Sequence, residues 1–148
     1  MFFKIFTDGG ARGNPGNAAV GFVVYKIDTE KNLTSELGRT GKTIGFTTNN
    51  VAESTAVIEA LKWLKKNLGE DFNKEKTNTI EFKLDSKLVA SQLGGIFKIK
   101  DPKLRTLLVT VYGLVGELNA VASYSYISRE KNQDADLEVN RALDAEMI

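Results

Sequence analysis

Apolar positions along this chain recur first at strand period and then switch repeatedly between helical and strand spacing. Phe2–Thr7 is a short run rich in aromatics and Ala19–Ile27 is a second; with DGGARGNPGN between them as turn and loop, the two read as strands. A third strand is predicted over part of Thr34–Phe46, where alternation is poor and Gly38, Gly41 and Gly45 mark bends or bulges. From Asn50 the period becomes helical. Val57, Ile58, Leu61, Leu64 and Leu68 share one side, Lys62, Lys65 and Lys66 the other, and the helix is expected to stop near Gly69. GEDFNKEKTN then reads as a loop, and TIEFKL as a strand with Ile80, Phe82 and Leu84 on one face.

Ser86 is placed to cap a short helix, KLVASQL, that ends at Gly94 and Gly95. Pro102 suits the first turn of the next helix, whose apolar positions are Leu104, Leu107, Leu108, Val111 and Leu114. Its β-branched content leaves a strand reading of its middle open. AVASYSYI alternates as a last strand, and a final helix starts near Asn132 or Asp134 with Val139, Leu143 and Met147 inward. Helical crossovers make the later strands parallel to a neighbour, whereas the first three, joined by short loops, form an antiparallel meander. The predicted class is α/β: a mixed sheet with helices packed on it, one domain over residues 1–148, without internal repeat or linker.

Composition narrows the chemistry. With 42% hydrophobic and 26% charged residues the chain is of ordinary globular type. It has no cysteine and no histidine, so thiolate and imidazole metal sites are excluded and any metal is expected to be hard, magnesium or manganese on carboxylates. A net charge of +1 implies no general polyanion surface, so nucleic-acid contact must rest on local clusters. No apolar run is long enough to span a membrane and MFFKIF is unlike a signal peptide, so a cytoplasmic protein is expected.

Four carboxylates stand in informative places. Asp8 closes the first strand and Asp85 the fourth, and ligands of α/β sheets bind at the carboxyl ends of strands. The alternative is that each merely begins a turn. Glu53 lies near the start of its helix with Ala56, Val57 and Ala60 at i+3, i+4 and i+7, beside the stripe that faces the sheet. Asp136 repeats the arrangement with Val139, Asn140 and Leu143. A helix-start acid can also serve only the helix dipole. Four converging acids would repel one another unless cations bind among them, and a pair of magnesium ions that activates water at a phosphodiester is the economical account.

The segments TDGGARGNPG, TTNNVAE, LDSKLV and REKNQDAD resemble, in order and spacing, the four signature segments of type 1 ribonuclease H, over about Phe3 to Leu143. The resemblance implies the ribonuclease H-like fold, a mixed five-stranded sheet flanked by helices. It also implies endonucleolytic hydrolysis of the RNA strand of RNA/DNA hybrids with two Mg2+ ions, or Mn2+ in their place, leaving 5'-phosphate and 3'-hydroxyl ends. The family's metal-binding acids fall on Asp8, Glu53, Asp85 and Asp136. Its hybrid-contacting positions fall on Gly9, Asn14, Thr48, Asn49, Asn50, Ser86 and Lys87. Thr48 matches a residue that helps hold a DNA phosphate, and Lys87 stands where the family often has glutamine. Recognition by groove shape and 2'-hydroxyl, with little base reading, suits such an enzyme.

Two departures qualify the match. Many bacterial members have a histidine ten residues before the final acid, where this chain has Tyr126; Arg129 and Glu130 are candidates to take over part of its role. A packed strand residue is the alternative reading of Tyr126. The basic protrusion of several relatives is also short here, reduced to Phe97, Lys98, Lys100, Lys103 and Arg105, either a phosphate-binding strip or a solvated loop. No separate hybrid-binding domain and no protein partner is implied, and a monomer is expected. Other classes consistent with the residues are a hybrid binder without chemistry and a nuclease of the same fold that cuts double-stranded RNA.

Overall fold

A computed structural model describes residues 1–74, 77–96 and 98–147. Strand β1, Phe2–Gly13, pairs antiparallel with β2, Gly16–Asp28, in unbroken register from Phe2↔Ile27 to Gly13↔Gly16. The glycine-rich segment expected as a loop is therefore mostly strand, only Asn14 and Pro15 turn, and Asp8, expected to close the first strand, lies within it. The segment's lack of apolar alternation hid this. Gly9, Gly10 and Ala11 are held by pairing with buried Val20, Ala19 and Ala18 rather than by side chains of their own. Gly13, at φ +91°, takes the left-handed conformation the turn requires. Strand β3, Leu33–Thr47, completes the meander; its register on β2 shifts beside Gly45 and Gly38, where bends or bulges were expected, but Gly41 pairs with Gly21 without a shift.

Helix α1, Asn49–Lys74, runs past Gly69 instead of stopping there. Phe72 explains the extension: it is 1% exposed and stacks on Phe3 with ring centroids 5.2 Å apart, so tertiary packing outweighs one weak helix former. Of the expected loop, only Glu75 and Lys76 lie outside the described residues. Strand β4, Asn78–Leu84, and helix α2, Lys87–Leu93, follow, the latter capped by Ser86 Oγ accepting from Val89 N at 3.2 Å. Helix α3, Pro102–Glu117, excludes the strand alternative; Asp101 Oδ1 caps it, accepting from Lys103 N and Leu104 N at 2.8 and 3.2 Å. Strand β5, Ala120–Tyr126, a short 3-10 turn at Arg129–Lys131 and helix α4, Gln133–Glu146, complete the chain.

The sheet order is β3-β2-β1-β4-β5; the first three strands are antiparallel and β1, β4 and β5 parallel, the directions expected. Helices α1, α2 and α3 bury one face over a core that includes Phe3, Ile5, Phe22, Val57, Leu61, Leu64 and Phe82. Helix α4 covers the opposite face with a smaller cluster of Ala19, Val139 and Leu143. Met147, expected inward, is 77% exposed because it lies just past the last turn of α4, where its Sδ accepts from Arg12 Nη1. Among the described residues no helix is long and apolar enough to cross a membrane.

Helix α4 approaches the sheet closely because Gly21 and Gly41 have no side chains. A Cβ at Gly41 would run into the Glu138 carbonyl, and one at Gly21 into that of Ala135. Gly69, by contrast, has open space where its Cβ would stand. In urea denaturation, Gly41→Ala should therefore lower stability by about 1–3 kcal/mol, whereas Gly69→Ala should raise it by about 0.5–1 kcal/mol.

Candidate active site

The parallel register of β1 on β4 sets Thr7 opposite Leu84, both fully buried. The next residue on each strand, Asp8 and Asp85, must then emerge side by side, and strand alternation turns both away from the α1 face. Glu53 comes from α1 on the other side of the sheet. It reaches the pair across Gly9, where a Cβ would collide with the Ala52 backbone and stand 2.5 Å from Glu53 N. Only glycine permits that approach, so Gly9 acts here through packing of strand on helix.

Asp8 and Glu53 are 7% and 8% exposed, and Asp85 is half-buried. Asp8, Glu53 and Asp85 each present one oxygen such that all three lie within 4.8 Å of one another. Asp8 Oδ1 accepts from Gly9 N at 3.0 Å. Glu53 Oε2 is buried without a hydrogen-bond partner, and no lysine or arginine pairs with any of the three among the described residues. Burial first, then the charge of Asp85 and the nearby Asp136, pushes the Asp8 carboxyl well above the usual carboxylate range. Burial, then the charges of Asp8 and Asp85, does the same to Glu53. Unneutralised hard oxygens with an orphaned buried lone pair fit divalent cations such as magnesium or manganese.

Asp136 differs from the other three. It is exposed on the first turn of α4, borders the same cleft and stands close enough to raise the Asp8 pKa, but lies outside the tight triad. Asn140, one turn on, donates through Nδ2 to Asp136 Oδ2 at 3.3 Å.

The cleft is also lined by Gly9, Arg12, Asn49, Asn50, Ser86, Lys87 and Arg129. Asn49 locks the β1–β2 turn to the start of α1: its Oδ1 accepts from Ala11 N at 2.8 Å and its N donates to Asn14 Oδ1 at 3.1 Å. Thr48 Oγ1 caps α1, accepting from Val51 N at 3.3 Å. Of the three loop candidates only Arg129 borders the cleft. Tyr126, the last residue of β5, is 52% exposed and not packed under a helix, and Glu130 borders a smaller hollow with Phe6 and Tyr25. Lys98, Lys100, Lys103 and Arg105 are exposed, and Phe97 lies outside the described residues.

The RNase H family model matches residues 3–101. The chain belongs to the RNase H family. It is 37% identical over 139 residues to ribonuclease HI of Halobacterium salinarum, covering 94% of this chain and 63% of that protein. It is 36% identical over 145 residues to the bifunctional protein Rv2228c of Mycobacterium tuberculosis, of which it spans 36% of the length. The solved RNase H1 of Halobacterium salinarum superimposes with a TM-score of 0.81 at 35% identity, covering 98% of this chain and 99% of the other. LC11-RNase H1, solved in complex with an RNA/DNA hybrid, gives 0.82 at 37% identity with 99% of both chains covered. The family fold thus agrees with the observed strand order.

Two residues that pattern reading passed over stand out at this family member's site. Arg12 reaches from β1 to α4, donating to Asp144 Oδ1 at 2.6 Å and Asn140 Oδ1 at 3.4 Å. Asn132, read only as a helix start, is 1% exposed and donates to Asp85. The available signal was its place four residues before Asp136.

The raised carboxyls have a measurable consequence. Asp8 and Glu53 hold protons more tightly folded than unfolded, so without metal they cost stability as pH rises from the unfolded value of about 4. In a chelator, Asp8→Asn should be more stable than wild type at pH 8 by more than about 1.4 kcal/mol. The gap should shrink towards pH 4 and on adding magnesium. Thermal melts across pH, with and without metal, check this; parallel profiles would contradict the electrostatic account.

Proposed function

We propose that this chain is a metal-dependent endoribonuclease that hydrolyses the RNA strand of RNA/DNA hybrids, leaving 5'-phosphate and 3'-hydroxyl ends. The observation that carries the proposal is the triad of buried Asp8 and Glu53 with half-buried Asp85, which has no protein cation among the described residues and leaves Glu53 Oε2 unpartnered. These three, with Asp136 at the rim, would hold two Mg2+ ions, with Mn2+ as a substitute. When bound, such ions supply an activated water and neutralise charge at the phosphate. This chemistry needs no histidine, in keeping with a chain that has none.

The remaining groups serve position. The interlocked Asn14, Asn49 and Ala11 hold the β1–β2 turn against α1 as one rigid rim, and Asn50, Ser86 and Lys87 border the cleft beside it. Polar side chains and backbone on such a rim suit a minor groove that displays 2'-hydroxyls. Arg12, Lys87 and Arg129 supply local positive charge for the phosphate backbone where the net charge supplies little. The hybrid bound to LC11-RNase H1 supports this choice of substrate. The reading includes one catalytic domain over residues 1–148, acting as a monomer in the cytoplasm.

A labelled RNA/DNA hybrid incubated with and without magnesium or manganese tests it, beside single- and double-stranded RNA. Metal-dependent loss of the RNA strand from the hybrid alone is expected. Asp8→Asn and Asp85→Asn should each lower the rate about a thousandfold or more while the far-UV spectrum stays native. Full activity in either variant would remove the metal-site assignment.

A further inference from the structure

Asn132 follows the 3-10 turn and stands directly before α4, 1% exposed. At such a position an asparagine side chain usually caps the helix, yet here it makes no capping bond. Its Nδ2 instead donates to the Thr7 carbonyl at 2.8 Å and to Asp85 Oδ2 at 3.1 Å. Two acceptors flank one nitrogen, so the amide orientation is settled; exchanging its oxygen and nitrogen would set three oxygens against each other. The backbone carbonyl of Asn132 accepts from Asp136 N at 3.2 Å. One residue therefore touches the strand that carries Asp8, the carboxylate of Asp85 and the helix that carries Asp136.

The side chain does this at a cost. Asn132 Oδ1 is buried without a partner among the described residues, so the amide is not there to satisfy itself. Asp85 is the least buried member of the triad and, among the described residues, shares no hydrogen bond with a backbone N–H comparable to that of Asp8 with Gly9. Without Asn132 its carboxylate would be free to rotate about the last side-chain bond, driven away from Asp8 and Glu53 by like charge.

We infer that Asn132 is a positioning residue for metal binding: through Nδ2 it fixes the rotation of the Asp85 carboxylate and ties it to β1 at Thr7. The inference rests on the metal-site reading above but concerns a residue that touches no metal. Groups that orient ligands in this way typically govern metal affinity by 10- to 100-fold.

The test uses the full chain without nucleic acid, following thermal stabilisation by Mn2+ over a concentration series. In Asn132→Ala, and in Asn132→Ser should the alanine variant fail to fold, the midpoint should rise about 10- to 100-fold. Hybrid cleavage should fall at limiting metal and recover largely at saturating metal. In an Asp85→Asn background the same substitution should add no further rise, because the carboxylate it orients is gone. A lower melting temperature with an unchanged Mn2+ midpoint would make Asn132 a purely structural tether and overturn the inference. If wild type itself shows no stabilisation by Mn2+ or Mg2+, the metal-site reading falls, and this inference with it.

Discussion

The pairing of β1 with β4 is the constraint on which the site depends. Because Thr7 lies opposite Leu84 in parallel register, two carboxylates one residue further on are forced together where β4 ends beside the middle of β1. A shift of one residue would send Asp85 to the face occupied by α1 and bring Leu84 out of the core. The core and the site therefore enforce each other's register: Ile5, Phe82 and Leu84 cannot be buried without also setting Asp8 beside Asp85.

That juxtaposition opposes folding. Burial and the neighbouring carboxylates raise the proton affinity of Asp8 and Glu53, and Glu53 Oε2 is left without a donor. The strain is tolerated because it sits at the edge of an extensive apolar core, where α1 packs along β1 and β2 and is anchored at its far end by Phe72 on Phe3. Gly9 makes the arrangement tight by letting the α1 backbone come close to β1. Charge repulsion is thus concentrated where a divalent ion would relieve it, a common way for a stable scaffold to carry a strained site.

Around the acids, the rim is built from backbone and short polar side chains held by reciprocal bonds. The turn at Asn14 and Pro15 cannot move independently of α1, since Asn49 bonds both Ala11 and Asn14. Arg12 fastens the same hairpin to α4 through Asp144. Two helices on opposite faces of the sheet are consequently linked through one hairpin, and Asn132 makes a further link between α4, β1 and Asp85. A rigid rim of this kind serves recognition of a shape more readily than adaptation to a base sequence.

Much of this was legible in residue pattern. Helical spacing from Val57 to Leu64, alternation in TIEFKL, the Ser86 cap and Pro102 after Asp101 are local signals, and each element they predict is present. The strand directions followed from which connections contain helices, whereas the order, with β1 beside β4, was decided by the tertiary structure. Where local signal was absent or misleading, contacts distant in sequence decided: pairing with β2 carried β1 through its glycines, Phe3 drew α1 past Gly69, and Arg12 held Met147 outside. For the site, the residue types and their places at strand ends and helix starts marked Asp8, Glu53, Asp85 and Asp136. Only tertiary structure separated the close triad from the more exposed Asp136, put Tyr126 and Glu130 away from the cleft and gave Asn132 its partners. The sequence by itself determined which elements form and placed Glu53 and Asp136 near helix starts and Asp85 just past a strand, because those depend on neighbours within a few residues; that β1 continues beyond Asp8 was decided by its pairing with β2. Distances, burial and hydrogen-bond partners were decided by packing between segments as much as 135 positions apart, which no local pattern encodes.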